Sequence, residues 1–169
     1  GGKIKVKEEL RKEIIVDLIK KYHKYIDFVD IEYNSKIKKE IKKILKKYDK
    51  NLIISLHIFK SEPTMKKIKI ILKDIKKFIN FGKNKNLIKI VIKSDNFKYY
   101  FNILKELYKT KNLKKTTFFT IGKISLISRI IGIILKMPLI YVATKKPVVS
   151  TQPDIKQIIK YLSKIGFLN

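Results

Sequence analysis

Short β-branched runs recur along this chain with helical patterns between them, and that alternation constrains its fold more than any other feature. FVDIEY (28–33), LIISLHIF (52–59), LIKIVIK (87–93), TTFFTI (116–121) and PLIYVAT (138–144) read as strands. Residues 7–26 carry Leu10, Ile14, Leu18 and Tyr22 on one helical stripe, and 63–81 open with Pro63 at a favoured first-turn position. Residues 95–109 place Phe97, Phe101, Leu104 and Tyr108 on one face, and a last helix over 154–165 aligns Ile155, Ile158, Ile159 and Leu162. Strand, helix, strand at this spacing demands parallel neighbours joined by right-handed crossovers. No linker or low-complexity block interrupts the pattern, so the expectation is an α/β fold in a single domain over 1–169.

The two faces of each strand differ. A period of two puts Leu52, Ile54, Leu56 and Ile58 on one side of the second strand, and Ile53, Ser55, His57 and Phe59 on the other. In the third, Ile88, Ile90 and Ile92 oppose Leu87, Lys89, Val91 and Lys93; in the first, Val29 and Ile31 oppose Asp30 and Glu32. An aliphatic face suits covering helices, and a face carrying polar groups suits a barrel wall with a working interior. A complete (β/α)8 barrel runs to about 250 residues, for which 169 residues are short.

Four polar residues stand out against this frame. Lys89 is flanked by Ile88, Ile90, Val91 and Ile92 near a strand centre, surroundings in which a neutral amine can attack a carbonyl and form a Schiff base. His57 lies on the neighbouring strand with the same facing and suits general acid/base work. Arg129 is one of two arginines in a chain that uses lysine almost everywhere. A retained guanidinium suggests a planar, bidentate partner such as a carboxylate or phosphate, or a structural ion pair with Asp30 or Glu32. Gln152, before the last helix, is placed to donate to a ligand from a loop or simply to open that helix.

Composition narrows the alternatives. Lys+Arg of 41 against Asp+Glu of 14 gives a formal charge of +27, which ordinarily points to nucleic acid or an anionic surface. Lysine supplies nearly all of it, alongside abundant Ile, Asn, Tyr and Phe, as an AT-biased coding sequence would produce. The lysines are spread over every helix rather than gathered on one face. Zero cysteines exclude disulfides, thiolate metal ligands and cysteine nucleophiles, and two histidines leave little for a zinc site. The apolar window 124–143 contains Arg129, Lys136 and Pro138. A charge near a helix centre costs about 2.5–3.5 kcal/mol in a membrane, so a loop, a buried helix and a strand from Pro138 is the better parse. No G-x-G-x-x-G or P-loop occurs, and Asp30 and Glu32, two apart on one strand, cannot flank a glycosidic bond. The opening GGKIKVKEEL lacks an initiator Met and a signal-peptide pattern, and reads as a start inside a longer protein.

Taken in order, these segments resemble type I 3-dehydroquinate dehydratase. FVDIEY resembles the family's strand with an acidic D-x-E, ISLHIFKSEP the S-x-H-x-F segment holding its histidine, and LIKIVIK the strand with its Schiff-base lysine. FTIGKISLISRIIG is similar to the M-G…S-R stretch with a carboxylate-binding arginine, and KKPVVSTQ to the closing loop that ends in A-P-G-Q. The resemblance implies a (β/α)8 barrel, 3-dehydroquinate as small-molecule substrate, no metal or added cofactor, a cytoplasmic location, and scope for a homodimer when intact. It gives Lys89 the imine, His57 the acid/base steps, Arg129 the substrate carboxylate and Gln152 a contact from the closing loop. Departures are Val148, where the family usually has Ser or Thr, and Ser150-Thr151 in place of Pro-Gly. Gly1-Gly2 resembles the pair after the family's third strand. The first three strands are then absent, together with a Glu and Arg of the second and an Arg and Glu of the third that bind substrate and orient the histidine. Competing readings are another lysine Schiff-base barrel such as an aldolase, a non-catalytic remnant, and a basic nucleic-acid-binding fragment.

Overall fold

A computed structural model describes residues 6–79, 85–145, 147 and 151–168. Its elements are α1 (Glu8–Tyr22), β1 (Phe28–Glu32), α2 (Lys38–Lys47), β2 (Asn51–Ile58), α3 (Met65–Ile79), β3 (Leu87–Lys93), α4 (Phe97–Lys109), β4 (Thr116–Ile121), α5 (Ser125–Ile134) and α6 (Ile155–Lys164). The strands form one sheet in the order β1-β2-β3-β4. Consecutive neighbours joined by helical crossovers are what parallel pairing requires, and β1 and β2 pair in parallel with Asp30 opposite Ile53 and Glu32 opposite Ser55. Two compact units make up the chain: residues up to His57 with Ile71–Lys89, and Ile58–Ile70 with Ile90 onwards.

In the first unit the aliphatic strand faces form the core. Ile31, Leu52, Ile54 and Ile88 are at most 1% exposed, and Ile41 and Leu45 of α2 with Leu72, Ile75 and Ile79 of α3 cover them. The buried Asn86 accepts a hydrogen bond from the Leu52 N–H at 2.8 Å and donates to the Ile79 carbonyl at 3.2 Å, satisfying backbone groups that neither element pairs. Thr64 caps α3 by accepting from the Lys67 N–H, which leaves Pro63 just outside the helix rather than in its first turn. Helix α1 is held through Ile19, buried at 1%, a Lys12–Glu40 ion pair to α2 and a Ser35–Glu8 hydrogen bond. The stripe read from its sequence faces the other way: Leu10, Ile14, Leu18 and Tyr22 are 41–49% exposed.

In the second unit Tyr100 of α4 is fully buried, stacks on Phe118 of β4 at 4.9 Å and donates to the Ser128 carbonyl. That burial pushes its phenol well above the ordinary range. Helix α4 has two adjacent apolar stripes, and the unit covers the one with Tyr100, Ile103 and Leu107. Phe97, Phe101 and Tyr108, expected together on one face with Leu104, stay exposed. Ile130, Ile158 and Leu162 form a further core cluster with Leu126, Ile133 and Val142.

Among the described residues the expected strand at 138–144 forms no ladder. The described bridge joins Ala143 to Asp154, and side chains satisfy much of the backbone before it. Thr117 Oγ1 both donates to the Leu139 carbonyl (2.9 Å) and accepts from its N–H (3.0 Å), and Arg129 donates to the Tyr141 carbonyl. Hydroxyl and guanidinium groups have taken the place of a neighbouring strand. No described helix is long and apolar enough to cross a membrane; the apolar window at 124–143 is split between α5 and this irregular segment.

Candidate active site

The polar strand face in the first unit carries two facing pairs. Lys89 Nζ donates to Asp30 Oδ2 at 2.6 Å, and His57 Nδ1 lies 2.5 Å from Glu32 Oε1. Asp30 and Glu32 are two apart on β1 and therefore share a face. Each of their partners must rise from that same face, so Lys89 and His57 lie on one side of the sheet as the strand period requires. The register explains the pairing: Glu32 sits opposite Ser55, two residues before His57 on the adjacent strand. Lys89 reaches across β2 from β3, which its four-carbon stem allows. Strands lie about 4.8 Å apart.

These side chains are poorly hydrated without being sealed. Lys89 is 11% exposed and His57 19%, against 33% for Asp30 and 27% for Glu32. Burial alone would raise the Glu32 carboxyl, but hydrogen bonding and charge attraction, His57's foremost among them, outweigh it and hold the group below its ordinary value. An ionised carboxylate can only accept, so the Nδ1 position of His57 carries the proton, and in the neutral ring Nε2 is the basic nitrogen. Lys89 is not surrounded by aliphatic groups alone, as its sequence neighbours suggested. A carboxylate stands within proton-transfer reach of its amine.

In the second unit Arg129, on α5, is 2% exposed and builds a rigid local frame. Its Nε donates to the Tyr141 carbonyl at 2.6 Å. Its Nη1 donates to the carbonyls of Thr120 (3.1 Å) and Ser125 (2.9 Å) and to Ser125 Oγ (2.6 Å). The guanidinium also stacks over Phe119 with its carbon 4.3 Å from the ring centre. Burial lowers its pKa to about 10, which leaves it charged at neutral pH. Its partners are backbone and hydroxyl oxygens, not Asp30 or Glu32. Among the described residues Nη2 takes no hydrogen bond, so a carboxylate arriving at Arg129 would meet that nitrogen first.

Ser125 connects the arginine to the closing loop. Its hydroxyl donates to the Thr151 carbonyl at 2.6 Å, and the Pro153 carbonyl accepts from the Ala143 N–H. The half-buried Gln152 is thus pinned on both sides, directly before the Asp154–Gln157 capping box that starts α6. Sequence reasoning passed over Ser125, although its position one helical turn before Arg129 was a usable signal. Val148 and Ser150 lie outside the described residues, as do Gly1 and Gly2. Among the described residues no group of three or more His, Asp or Glu side chains could hold a metal ion.

Comparison with known proteins gives a consistent result. The family model for type I 3-dehydroquinase matches residues 1–168. No curated protein matches in sequence. The fold is similar to a type I 3-dehydroquinate dehydratase of Clostridium difficile, crystallised with covalently modified comenic acid, at 20% identity and a TM-score of 0.79; 98% of this chain aligns with 64% of that one. It is also similar to the 3-dehydroquinate dehydratases of Geobacillus kaustophilus (18%, TM-score 0.75, 98% of this chain and 63% of that) and Aquifex aeolicus (21%, TM-score 0.68, 95% and 68%). The chain therefore spans less than two thirds of the first two relatives. Its sheet and helices are part of a (β/α)8 barrel, with four strands formed among the described residues.

Proposed function

Because the chain belongs to the type I 3-dehydroquinase family, we propose that it carries the catalytic half of a Schiff-base dehydratase that eliminates water from 3-dehydroquinate to give 3-dehydroshikimate. The observation that supports this most is the one-faced array of Lys89 and His57, each against its own carboxylate. Lys89 passes a proton to Asp30 and attacks the substrate ketone. The carbinolamine loses water to an imine, which acts as an electron sink. Nε2 of His57, with Nδ1 held by Glu32, removes the proton alpha to the imine. It then returns a proton to the departing hydroxyl on the same side, so that elimination is syn and the histidine ends neutral. Water hydrolyses the imine and frees Lys89. Arg129 anchors the substrate carboxylate through Nη2, and Gln152 contacts the substrate from the closing loop. Glu32 acts as a positioning residue for the histidine, a role that falls to an upstream glutamate in the family pattern.

The reaction makes a conjugated enone, whose ultraviolet absorbance reports turnover. The assay is run on the full gene product that contains the chain. Lys89→Met is expected to abolish the signal, and His57→Ala to lower kcat by about 10²–10⁴, the usual span for a general acid/base. Unchanged turnover in either variant excludes this mechanism.

A further inference from the structure

We propose that the groove between α2 and the C-terminal end of α3 binds a polyphosphate group, free or as part of a nucleoside polyphosphate. The groove holds about 410 Å³ and is lined by Lys39, Lys42, Lys43, Lys46 and Lys50. Its volume lies in the range of small-molecule sites. Lysine is common throughout the chain, so pairing and placement carry the argument rather than number. Elsewhere Lys12 pairs with Glu40 and Lys69 with Glu106, whereas among the described residues none of the five groove lysines has an ion-pair partner. Asp49 is the one carboxylate lining the groove and leaves four positive charges in excess. The C-termini of α2 and α3 oppose an anion by roughly half a charge each, too little to cancel them.

The spacing of the cations selects the ligand. Lys39, Lys42, Lys43 and Lys46 share one face of α2 and span about 10 Å at a rise of about 1.5 Å per residue. A single phosphate cannot meet them all; a chain of linked phosphates can. Lys42 is already set in place. Its Nζ donates to the Phe78 carbonyl and lies 4.8 Å from the centre of the Phe78 ring, and the ammonium has further N–H groups for a ligand. Asn86, which also lines the groove, is 4% exposed and spends one Nδ2 N–H on the Ile79 carbonyl. Its second N–H has no acceptor among the described residues, so the groove offers a buried donor as well as charge. A nucleic acid would track a longer cationic face, and the confinement of these lysines to one groove favours a small molecule. Leu52, another lining residue, alternates with His57 along β2, which puts the groove on the opposite side of the sheet from Lys89 and His57. The inference is therefore independent of the proposed chemistry.

The test is equilibrium dialysis of the full gene product that contains the chain against radiolabelled tripolyphosphate and, separately, ATP. It is run at about 0.15 M ionic strength, where attraction between exposed charges is screened beyond about 8 Å. Saturable binding at one site per chain is expected. Lys43→Gln with Lys46→Gln should weaken it about tenfold, the loss expected of two exposed ion pairs, while Lys98→Gln with Lys105→Gln, which removes the same charge from α4, should change it by less than about twofold. All four lysines are exposed, and both double variants should keep the parent's circular dichroism spectrum. Binding of both anions assigns the groove to the polyphosphate group itself, and binding of ATP alone assigns it to a nucleoside polyphosphate. Absence of binding, several equivalent sites per chain, or an equal loss in the α4 variant overturns the inference. So does a thymidine oligonucleotide that displaces ATP at a lower phosphate concentration, which would make this face a nucleic-acid surface. None of these outcomes depends on turnover, so failure of the dehydratase assay beside positive dialysis would count against the chemistry alone.

Discussion

Replacing Arg129 by methionine separates what this residue does for the fold from what it does for a substrate. Methionine keeps most of the apolar stem and removes every donor. The carbonyls of Tyr141, Thr120 and Ser125 and the Ser125 hydroxyl then lose the guanidinium. Ser125 keeps other bonds: its carbonyl accepts from Ser128 Oγ and its hydroxyl donates to Thr151. The Tyr141 and Thr120 carbonyls carry most of the loss. A buried acceptor left without its donor costs about 1–3 kcal/mol, and more where the donor was charged, so about 6 kcal/mol is the gross penalty for the two. Against this, methionine removes a buried charge. The guanidinium pKa falls from 12.5 to about 10, and at about 1.4 kcal/mol per unit that burial costs about 3 kcal/mol. The net is a destabilisation of about 3 kcal/mol. For a chain of this size it lowers the melting midpoint by roughly 6–12 °C, read by calorimetry on parent and variant in the same buffer. A variant that melts with the parent would refute the reasoning. Arg129 would then be held for a ligand and not for the segment it braces.

Two further perturbations probe the strand faces and their turns. Glu32→Gln removes a carboxylate whose folded pKa lies below its unfolded value. Its stabilisation is therefore present above about pH 4.3 and is lost as pH falls through the folded value. Urea midpoints from pH 6 to 3 should show the parent losing more stability than the variant, by under about 1 kcal/mol because both partners are partly hydrated; a gap that ignores pH would contradict this. Gly122 has φ +120°, and a Cβ there would lie 2.3 Å from Asp95 Oδ1 and 3.1 Å from the Ser94 carbonyl. Gly122→Ala should cost about 1–3 kcal/mol from backbone strain alone, measured by denaturant titration, and a neutral result would mean that this turn is not fixed as described.

How much of this was legible in the sequence depended on range. Strands β1 to β3 were readable because β-branched runs with one wholly aliphatic face have few other uses, and burial of Ile31, Ile54, Ile88 and Ile90 bears that out, while β4 showed only as a short β-branched and aromatic run. The facing of Lys89 and His57 followed from period two. Their carboxylate partners did not, since pairing Glu32 with His57 needs the β1–β2 register, which no local pattern encodes. The 138–144 run has strand composition, but a strand also needs a neighbour. Here Thr117 and Arg129, 22 and 12 residues away from Leu139 and Tyr141, satisfy its backbone instead. Helical periodicity located α1 and α4 but misjudged which stripe is covered. In α4 two stripes lie side by side and only the packing chooses between them. In α1 the stripe from Leu10 to Tyr22 was the more regular, yet the described chain buries Ile19.

The most direct test of the central claim is covalent. The full gene product that contains the chain is treated with borohydride in the presence of 3-dehydroquinate, digested, and read by mass spectrometry. A reduced imine on the peptide containing Lys89 is the predicted result, absent in Lys89→Met and present in Glu32→Gln, because Glu32 positions the histidine and does not form the bond. An adduct on any other lysine, or none at Lys89, would contradict the account.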